Sequence, residues 1–559
     1  MKRLWFLWTF ASPRRRTILL SLVALAFVSL TSLLYPWLLK LLVDQFVSPT
    51  TSRTDVTLLV GALVVTVVCA TFFGYQQQVT MHALGLDLRN AIRVALYRTL
   101  LNRPLSFHRD AKVGELSALA SEELAKVQPL FSGFVAPLFQ NSLFVIGCLV
   151  LMGLLNWPAT LLVLGVMAIP LPYVILRGKK LPSFAARSQQ AETQANAFFE
   201  ESLVAVREIK AFLRESAEVL RYGAVLGEAA RVELQSARIR VATSQAIYFL
   251  LSTVILAIFF AASHKLLFPG WTAGGIVAFY AYAYMMTLAA ITAGRILLTY
   301  QGIAGALDRI MTLMEAEPAT VAIPEVPAAM NGDATLRFRE VTFGYSDRDV
   351  LNSVSFTIPS GAWTLVTGPS GSGKSTVASL IMGFYEPRRG KIFLGGTEIT
   401  TTTIPPVRRR IGYVGQDPFL MHGTLRENIA FSEGPVDEER MHEVLAVTCL
   451  DEMVRDLPHG LETVIGERGY TLSGGQKARV AIARALLHRP EILILDEANA
   501  MLEPELEVRL WERLRAERGN QTTIIFTHHT ERVPAVALEL VLHNGTVEER
   551  MAPVPGSQQ

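Results

Sequence analysis

The chain has 559 residues, too long for one hydrophobic core, so more than one domain is expected. Hydrophobic residues make up 51% and charged residues only 18%, below the roughly 25% of an ordinary soluble protein. Part of the chain is therefore expected to face lipid, while a net charge of +3 argues against a nucleic-acid-binding protein. The three cysteines, Cys69, Cys148 and Cys449, are far apart and lack metal-ligand spacing, so they read as buried thiols without a disulfide framework.

In chain order, a basic amino terminus (Lys2, Arg3, Arg14–Arg16) precedes a long apolar run that reads as a first membrane helix rather than a cleaved signal. Six stretches reach the roughly twenty apolar residues that a spanning helix needs, near 17–43, 56–78, 130–155, 157–178, 242–267 and 273–300. The short gaps NWPA (Asn156–Ala159) and FPGW (Phe268–Trp271) supply turn residues and interfacial aromatics. Between spans two and three lie Arg89, Arg93, Arg98, Arg103, Arg109 and Lys112. Between four and five lie Arg177, Lys179, Lys180, Arg207, Lys210 and Arg214, whereas the other gaps carry only Arg53 and Lys265. The positive-inside rule places both basic segments and both termini in the cytoplasm. Helix-period spacing with few breakers between Ala185 and Arg240 predicts long helices that run past the bilayer. Asp44 and Arg295, near span ends, are charged candidates for a functional role or for snorkelling. Tyr280, Tyr282 and Tyr284 sit at spacing two, so they spread over more than one helix face, toward a cavity or toward packing.

After Met314 a Pro- and Ala-rich stretch without periodicity reads as a linker, and from Ala334 β-branched runs alternate with helical patterns. The expected organisation is an α-helical six-span transmembrane domain (1–313), a linker (314–333), an α/β P-loop NTPase domain (334–551) and a tail (552–559). In TGPSGSGKST, Gly368, Gly373, Lys374 and Ser375 take the fixed places of a phosphate-binding loop. Its backbone amides, including those at Ser370, Gly371 and Thr376, cradle phosphate oxygens. Lys374 reaches the β/γ-phosphates and Ser375 ligates Mg²⁺. EILILDEANA is an apolar strand ending in Asp496, which is placed to hold Mg²⁺, and Glu497, which is placed to polarise a water. In TLSGGQ, Ser473 is a good N-cap before a glycine-rich helix start. One nucleotide cannot readily use two such helix ends from one small domain, which points this second end, with Ser473, Gly475 and Gln476, at a partner subunit's ATP.

Together Gly368–Ser375, Leu472–Gln476 and Leu493–Glu497 resemble the nucleotide-binding domain of an ABC transporter over about residues 335–550. The six-span region resembles the exporter-type membrane domain of that family, so the resemblance runs nearly end to end. It implies that Tyr345 stacks on adenine, that Gln416 joins Mg²⁺ to the membrane-domain contact, and that His528 contacts the γ-phosphate. IGERG (Ile465–Gly469) resembles a loop typical of exporters. PLSFHRDAKVGEL (Pro104–Leu116) and EIKAFLRE (Glu208–Glu215) resemble the two intracellular contact regions. Where the family usually has an aspartate that touches the opposite subunit, this chain has Glu503. His529 sits where the family often has arginine.

The implied activity is ATP hydrolysis, with Lys374, Glu497 and His528 as the hydrolytic residues and ATP and Mg²⁺ as cofactors. It drives alternating access in a dimer embedded in a bilayer, a homodimer or a heterodimer, in a bacterial cytoplasmic membrane. The cargo stays open among a lipid, a drug-like compound and a peptide. So do an exporter-fold protein specialised for one modified peptide or for import, and a regulatory membrane subunit. The first span begins almost at once, so no leading peptidase region is expected.

Overall fold

The computed structural model describes residues 2–47, 53–110, 113–168, 181–263, 271–315, 333–346, 348–400, 402–431, 436–466, 472–498, 502–528 and 530–551. The linker expected at 314–333 and the tail fall almost wholly outside them. The chain divides into two compact units. One comprises Met1–Thr99 with Gly114–Ala316, and the other Leu100–Val113 with Glu317–Gln559. The turn after the second span thus belongs with the α/β part of the chain.

Among its described residues the first unit is helical apart from short turns. Its long helices are Arg15–Val47, Arg53–Leu101, Ala136–Ala168, Leu181–Val204, Glu215–Ser263 and Ala273–Glu315. Among the described residues three helical stretches are long and apolar enough to cross a membrane: Trp5–Val47, Thr54–Leu101 and Leu116–Val166. The last contains the expected third span and the start of the fourth. Asn156 breaks it with φ −164° and ψ 101°, and its side-chain Oδ1 accepts the Ala159 amide at 3.0 Å, so a new helix starts where the NWPA turn was expected. The far half of the fourth span lies outside the described residues. The fifth is the end of Glu215–Ser263, and the sixth opens Ala273–Glu315.

Leu58, Val64, Val65, Val68 and Phe72 on the second span are all exposed. A contiguous apolar surface of that kind needs lipid or further helices against it. The core of this unit gathers Leu33, Cys148, Met152, Val163, Val254, Ile258, Phe279, Tyr282 and Met286. Tyr282 is fully buried and donates its hydroxyl to the Leu33 carbonyl at 2.8 Å, so it serves packing, while Tyr280 and Tyr284 are exposed. Asp44 is a cap rather than a free charge: its carboxylate accepts the Gly274 amide at 2.8 Å and the Thr272 hydroxyl at 3.0 Å, closing the start of the last helix. The Arg295 side chain lies outside the described residues.

The long helices expected between Ala185 and Arg240 are interrupted. Leu181–Val204 gives way at Ala205 to the short helix Val206–Ala211, and the chain turns through Phe212–Arg214, where Leu213 has φ +53°. EIKAFLRE is therefore a tip between two long helices.

Among its described residues the second unit carries twelve strands: β1 (Leu336–Phe343), β2 (Leu351–Ile358), β3 (Trp363–Thr367), β4 (Arg389–Leu394), β5 (Thr397–Glu398), β6 (Ile411–Val414), β7 (Gly423–Thr424), β8 (Val464–Ile465), β9 (Ile492–Asp496), β10 (Thr522–Phe526), β11 (Leu538–His543) and β12 (Thr546–Met551). One sheet runs β2-β1-β4-β5 and is antiparallel. The other runs β12-β11-β3-β10-β9-β6, parallel except for β12. Strands β3, β9 and β10 are buried along their whole length, which accounts for their mostly apolar sequence, without alternation, in a sheet covered on both faces. The register pairs Phe526 with Val366 and with Asp496, and Val414 with Leu495. The carboxyl ends of β3, β6, β9 and β10 are thereby level. In open parallel sheets this edge is where ligands bind.

Candidate nucleotide site

The loop after β3 leads straight into the helix Lys374–Ile381. Gly371 and Gly373 take φ of +79° and +101°, which L side chains rarely adopt. A side chain at Gly368 would run into the Leu542 carbonyl and the Ser372 hydroxyl. Ser370, Gly371 and Ser375 are exposed along this turn, whereas Lys374 and Thr376 are buried. Lys374 Nζ donates to the carbonyls of Gly368 (2.8 Å) and Pro369 (3.1 Å), so the cation sits inside the loop it serves. Ser372 Oγ is buried without a hydrogen-bond partner; the x positions of the motif gave no sign of it.

Level with this loop, β9 ends in Asp496 and the chain turns at Glu497 with φ +51°, a strained conformation for a glutamate. The Glu497 amide donates to Phe526 O at 2.9 Å, which ties the turn to β10. Its carboxylate takes Gln416 Nε2 at 2.7 Å on one oxygen and faces His528 Nδ1 at 3.2 Å on the other. Residues from two other strand ends, those of β6 and β10, thus converge on one carboxylate. Asp496 is 2% exposed and its Oδ1 has no hydrogen-bond partner. Burial raises its pKa above the usual carboxylate range, opposed in part by the Ser375 hydroxyl and by Lys374. Among the described residues no three His, Cys, Asp or Glu side chains are grouped to hold a metal by themselves. The oxygens of Asp496 and Ser375, with the Gln416 carbonyl left over from its bond to Glu497, are the hard donors that fit a small divalent cation shared with phosphate.

Tyr345 stands just past β1. Its hydroxyl receives Thr376 Oγ1 at 3.2 Å, and its ring meets Phe343 and Tyr385 edge-on at 5.0 and 5.1 Å. The tyrosine is thus fastened to the phosphate-loop helix while staying partly exposed. Ser473 caps the helix Gly474–Leu487. Gln476 N donates to Ser473 Oγ at 3.2 Å and Ser473 N to Gln476 Oε1 at 2.9 Å, forming a capping box. Ser473, Gly475 and Gln476 therefore form a separate helix end, closed on itself rather than on Glu497. Residues 467–469, 499–501 and His529 lie outside the described residues. Glu503 is the N-cap of the helix Pro504–Arg518 and makes no side-chain capping bond.

Comparison with known proteins agrees with this geometry. The family model of the ABC transporter transmembrane region matches residues 18–289, and the one described as ABC transporter matches 351–500. An ABC transporter ATP-binding protein of Bacillus subtilis, YwjA, is 31% identical over 84% of this chain and 82% of its own. The chain is an ABC transporter. A probable multidrug resistance ABC transporter of the same organism, YheI, is 30% identical over 84% of this chain and 81% of its own. A solved structure of a bacterial Atm1-family ABC exporter with ATP bound shares the fold, with TM-score 0.82, 24% identity and coverage of 96% and 95% of the two chains. This ABC transporter is an integral membrane half-transporter, a membrane region fused to one ATP-binding domain, and an ATP hydrolase coupled to transport.

The segment Pro104–Leu116, expected as an intracellular contact region, supplies a neighbour of the site that was not singled out. Arg109, on the short helix Leu105–Asp110, stands over the Tyr345 ring with Cζ 5.3 Å from its centroid and donates Nη2 to the Tyr345 carbonyl at 3.2 Å. The two residues are 236 positions apart, so the sequence marks the region without marking this pairing.

Proposed function

We propose that two copies of this chain associate in a bacterial cytoplasmic membrane, ATPase domains and termini in the cytoplasm, and use ATP to export an amphipathic solute by alternating access. The observation that carries the reading is the convergence of Gln416 and His528 on Glu497 at the sheet edge, beside a phosphate loop, while Ser473 closes a separate helix end. Such a helix end has donors to spare for a nucleotide held by another chain.

In this reading Tyr345 stacks on the adenine. The amides of Gly368, Ser370, Gly371, Gly373 and Thr376 receive phosphate oxygens, and Lys374 offsets their charge. Ser375, Gln416 and Asp496 would hold Mg²⁺, which would supply positive charge to the phosphoryl oxygens when bound. Glu497, pinned at both carboxylate oxygens, orients water and takes its proton at the carboxylate. His528 holds the far side of the same carboxylate and turns toward the terminal phosphate. Ser473, Gly475 and Gln476 complete the partner's site. The domain limits proposed are 1–313, 314–333 and 334–551.

For the cargo, the helices Ala136–Ala168 and Ala273–Glu315 flank an open groove of about 390 Å³, walled by Leu138, Val145, Ile146, Ala289 and Ile296 with Asn141 and Ser142 among them. Apolar walls with two uncharged polar groups suit an apolar body with a neutral polar part. The probable multidrug role in the name of YheI accords with this. The test is uptake into inside-out vesicles carrying the full-length protein, with neutral amphipathic dyes, lipid analogues and peptides. ATP-dependent accumulation of a neutral amphipath is expected. Uptake only into right-side-out vesicles, or ATPase activity indifferent to every candidate, overturns export.

A further inference from the structure

We propose that Arg109 guards the base-stacking face of Tyr345, so that ATP must displace a guanidinium from the tyrosine before its adenine can stack. The inference rests on the assignment of Tyr345 as the base platform. Three observations support it. Arg109 and Tyr345 lie in one compact unit, although Arg109 follows a helix that begins at Arg53 in the second membrane span. The guanidinium covers the ring from 5.3 Å and grips the Tyr345 backbone carbonyl at 3.2 Å. The other approaches to the ring are taken: Phe343 and Tyr385 stand nearly perpendicular to it, at 86° and 85°, and Thr376 holds the hydroxyl. The side that Arg109 occupies is the one a flat purine can reach.

The contest is one-sided enough to serve as a sensor. A cation over an exposed ring is a weak interaction, and an adenine brings a whole π-face together with the triphosphate tethered beside it. ATP therefore wins, and the guanidinium is released. Because the short helix that bears Arg109, Leu105–Asp110, follows a membrane-spanning helix, release removes its contact with Tyr345 when a base is present. Inorganic phosphate, or a triphosphate without a base, leaves Arg109 in place. The cytoplasmic end of the span thereby distinguishes a nucleotide from a mere polyanion.

Two opposing effects make the test decisive. Removing a cation near a phosphate site weakens binding of any polyanion, whereas removing a competitor for the ring strengthens binding of a base. The full-length protein in lipid nanodiscs is titrated with ATP and, separately, with inorganic tripolyphosphate. Arg109→Ala is expected to tighten ATP about two- to fivefold and to leave tripolyphosphate unchanged or weaker. Arg109→Lys, which keeps the charge without a flat face, should fall between wild type and alanine, and it serves where the alanine variant is poorly folded. Tyr345→Ala should weaken ATP but not tripolyphosphate, and should erase the effect of Arg109→Ala in the double variant. If Tyr345→Ala leaves ATP binding intact, the tyrosine is not the platform and both readings fall. If Tyr345→Ala weakens ATP while Arg109→Ala fails to tighten it, or tightens tripolyphosphate equally, the platform stands and the guard is overturned.

Discussion

Glu497 is fixed by its backbone, its neighbours and its strand. A positive φ aims the carboxylate off the end of β9, and Gln416 and His528 hold one oxygen each. Replacing it with glutamine changes little in shape and removes the proposed base. Glu497→Gln is therefore expected to retain ATP binding while lowering turnover by about a hundredfold or more, as read by ATPase rate alongside nucleotide retention; near-normal hydrolysis would remove the assigned base. A second residue-scale expectation concerns Glu503. It occupies an N-cap without a capping bond, because the extra methylene carries the carboxylate past the orphan amides that an aspartate reaches. Glu503→Asp should raise the stability of this helix by up to about 1 kcal/mol, measured as a higher unfolding midpoint of the full-length protein. A lower midpoint would mean that Glu503 makes a better contact than the cap it forgoes.

At the scale of elements, the start of the last membrane helix shows what a local pattern can hide. Asp44 looks like a charge stranded near a span end, yet it ties Thr272 and Gly274, some 230 residues on, into one corner. The corner is also tight: a Cβ on Gly274 would collide with the Lys40 carbonyl and the Asp44 carboxylate. Gly274→Ala is expected to destabilise the membrane domain by about 1–3 kcal/mol, and Asp44→Ala by about as much through loss of charge-assisted hydrogen bonds. Both are read as a fall in thermal midpoint in detergent, and stability unchanged in either variant would return Asp44 to the list of functional charges. The contrast with the phosphate loop explains what was legible. Gly368, Gly371 and Gly373 encode a backbone path within six residues, and Ser473 with Gln476 encode a helix start within four, so spacing alone exposes them. The turn at Asn156 was legible for the same reason. Asp44 with Gly274, Arg109 with Tyr345 and Tyr282 with Leu33 are contacts across 230 or more positions. Only the fold brings those pairs together, and neither partner has a neighbour in sequence that marks it. The break at Ala205 and the tip at Phe212–Arg214 escaped notice because no proline or glycine announces them.

For the whole molecule the decisive question is whether each ATP site is built within one chain or between two. Within this chain the phosphate loop gathers with Asp496, Glu497 and His528, while Ser473 and Gln476 bond to each other at another helix end. If the sites form between chains related by a two-fold axis, each holds Lys374 from one copy and Ser473 from the other. Consider a Lys374→Ala chain co-expressed with a Ser473→Arg chain, each with little ATPase activity alone. In a mixed dimer one site then carries both defects. The other carries neither, because the Ser473→Arg chain lends an intact lysine and the Lys374→Ala chain lends an intact serine. Random pairing makes about half the dimers mixed, so about a quarter of all sites should be whole, and ATPase should recover toward that fraction if one whole site can turn over. Were the sites built within single chains, every site in the mixture would keep one defect and no activity would return. Activity that reappears in the mixture, and vanishes in isolated dimers of a wild-type chain with a chain carrying both substitutions, requires the shared arrangement, because sites within single chains would leave the wild-type chain whole; a mixture as inactive as its components, with mixed dimers isolated on two affinity tags, excludes it unless one whole site cannot work alone. That exception is resolved on the same isolated dimers by counting the ATP they retain in the Glu497→Gln background, where one whole site holds one nucleotide whether or not it can turn over.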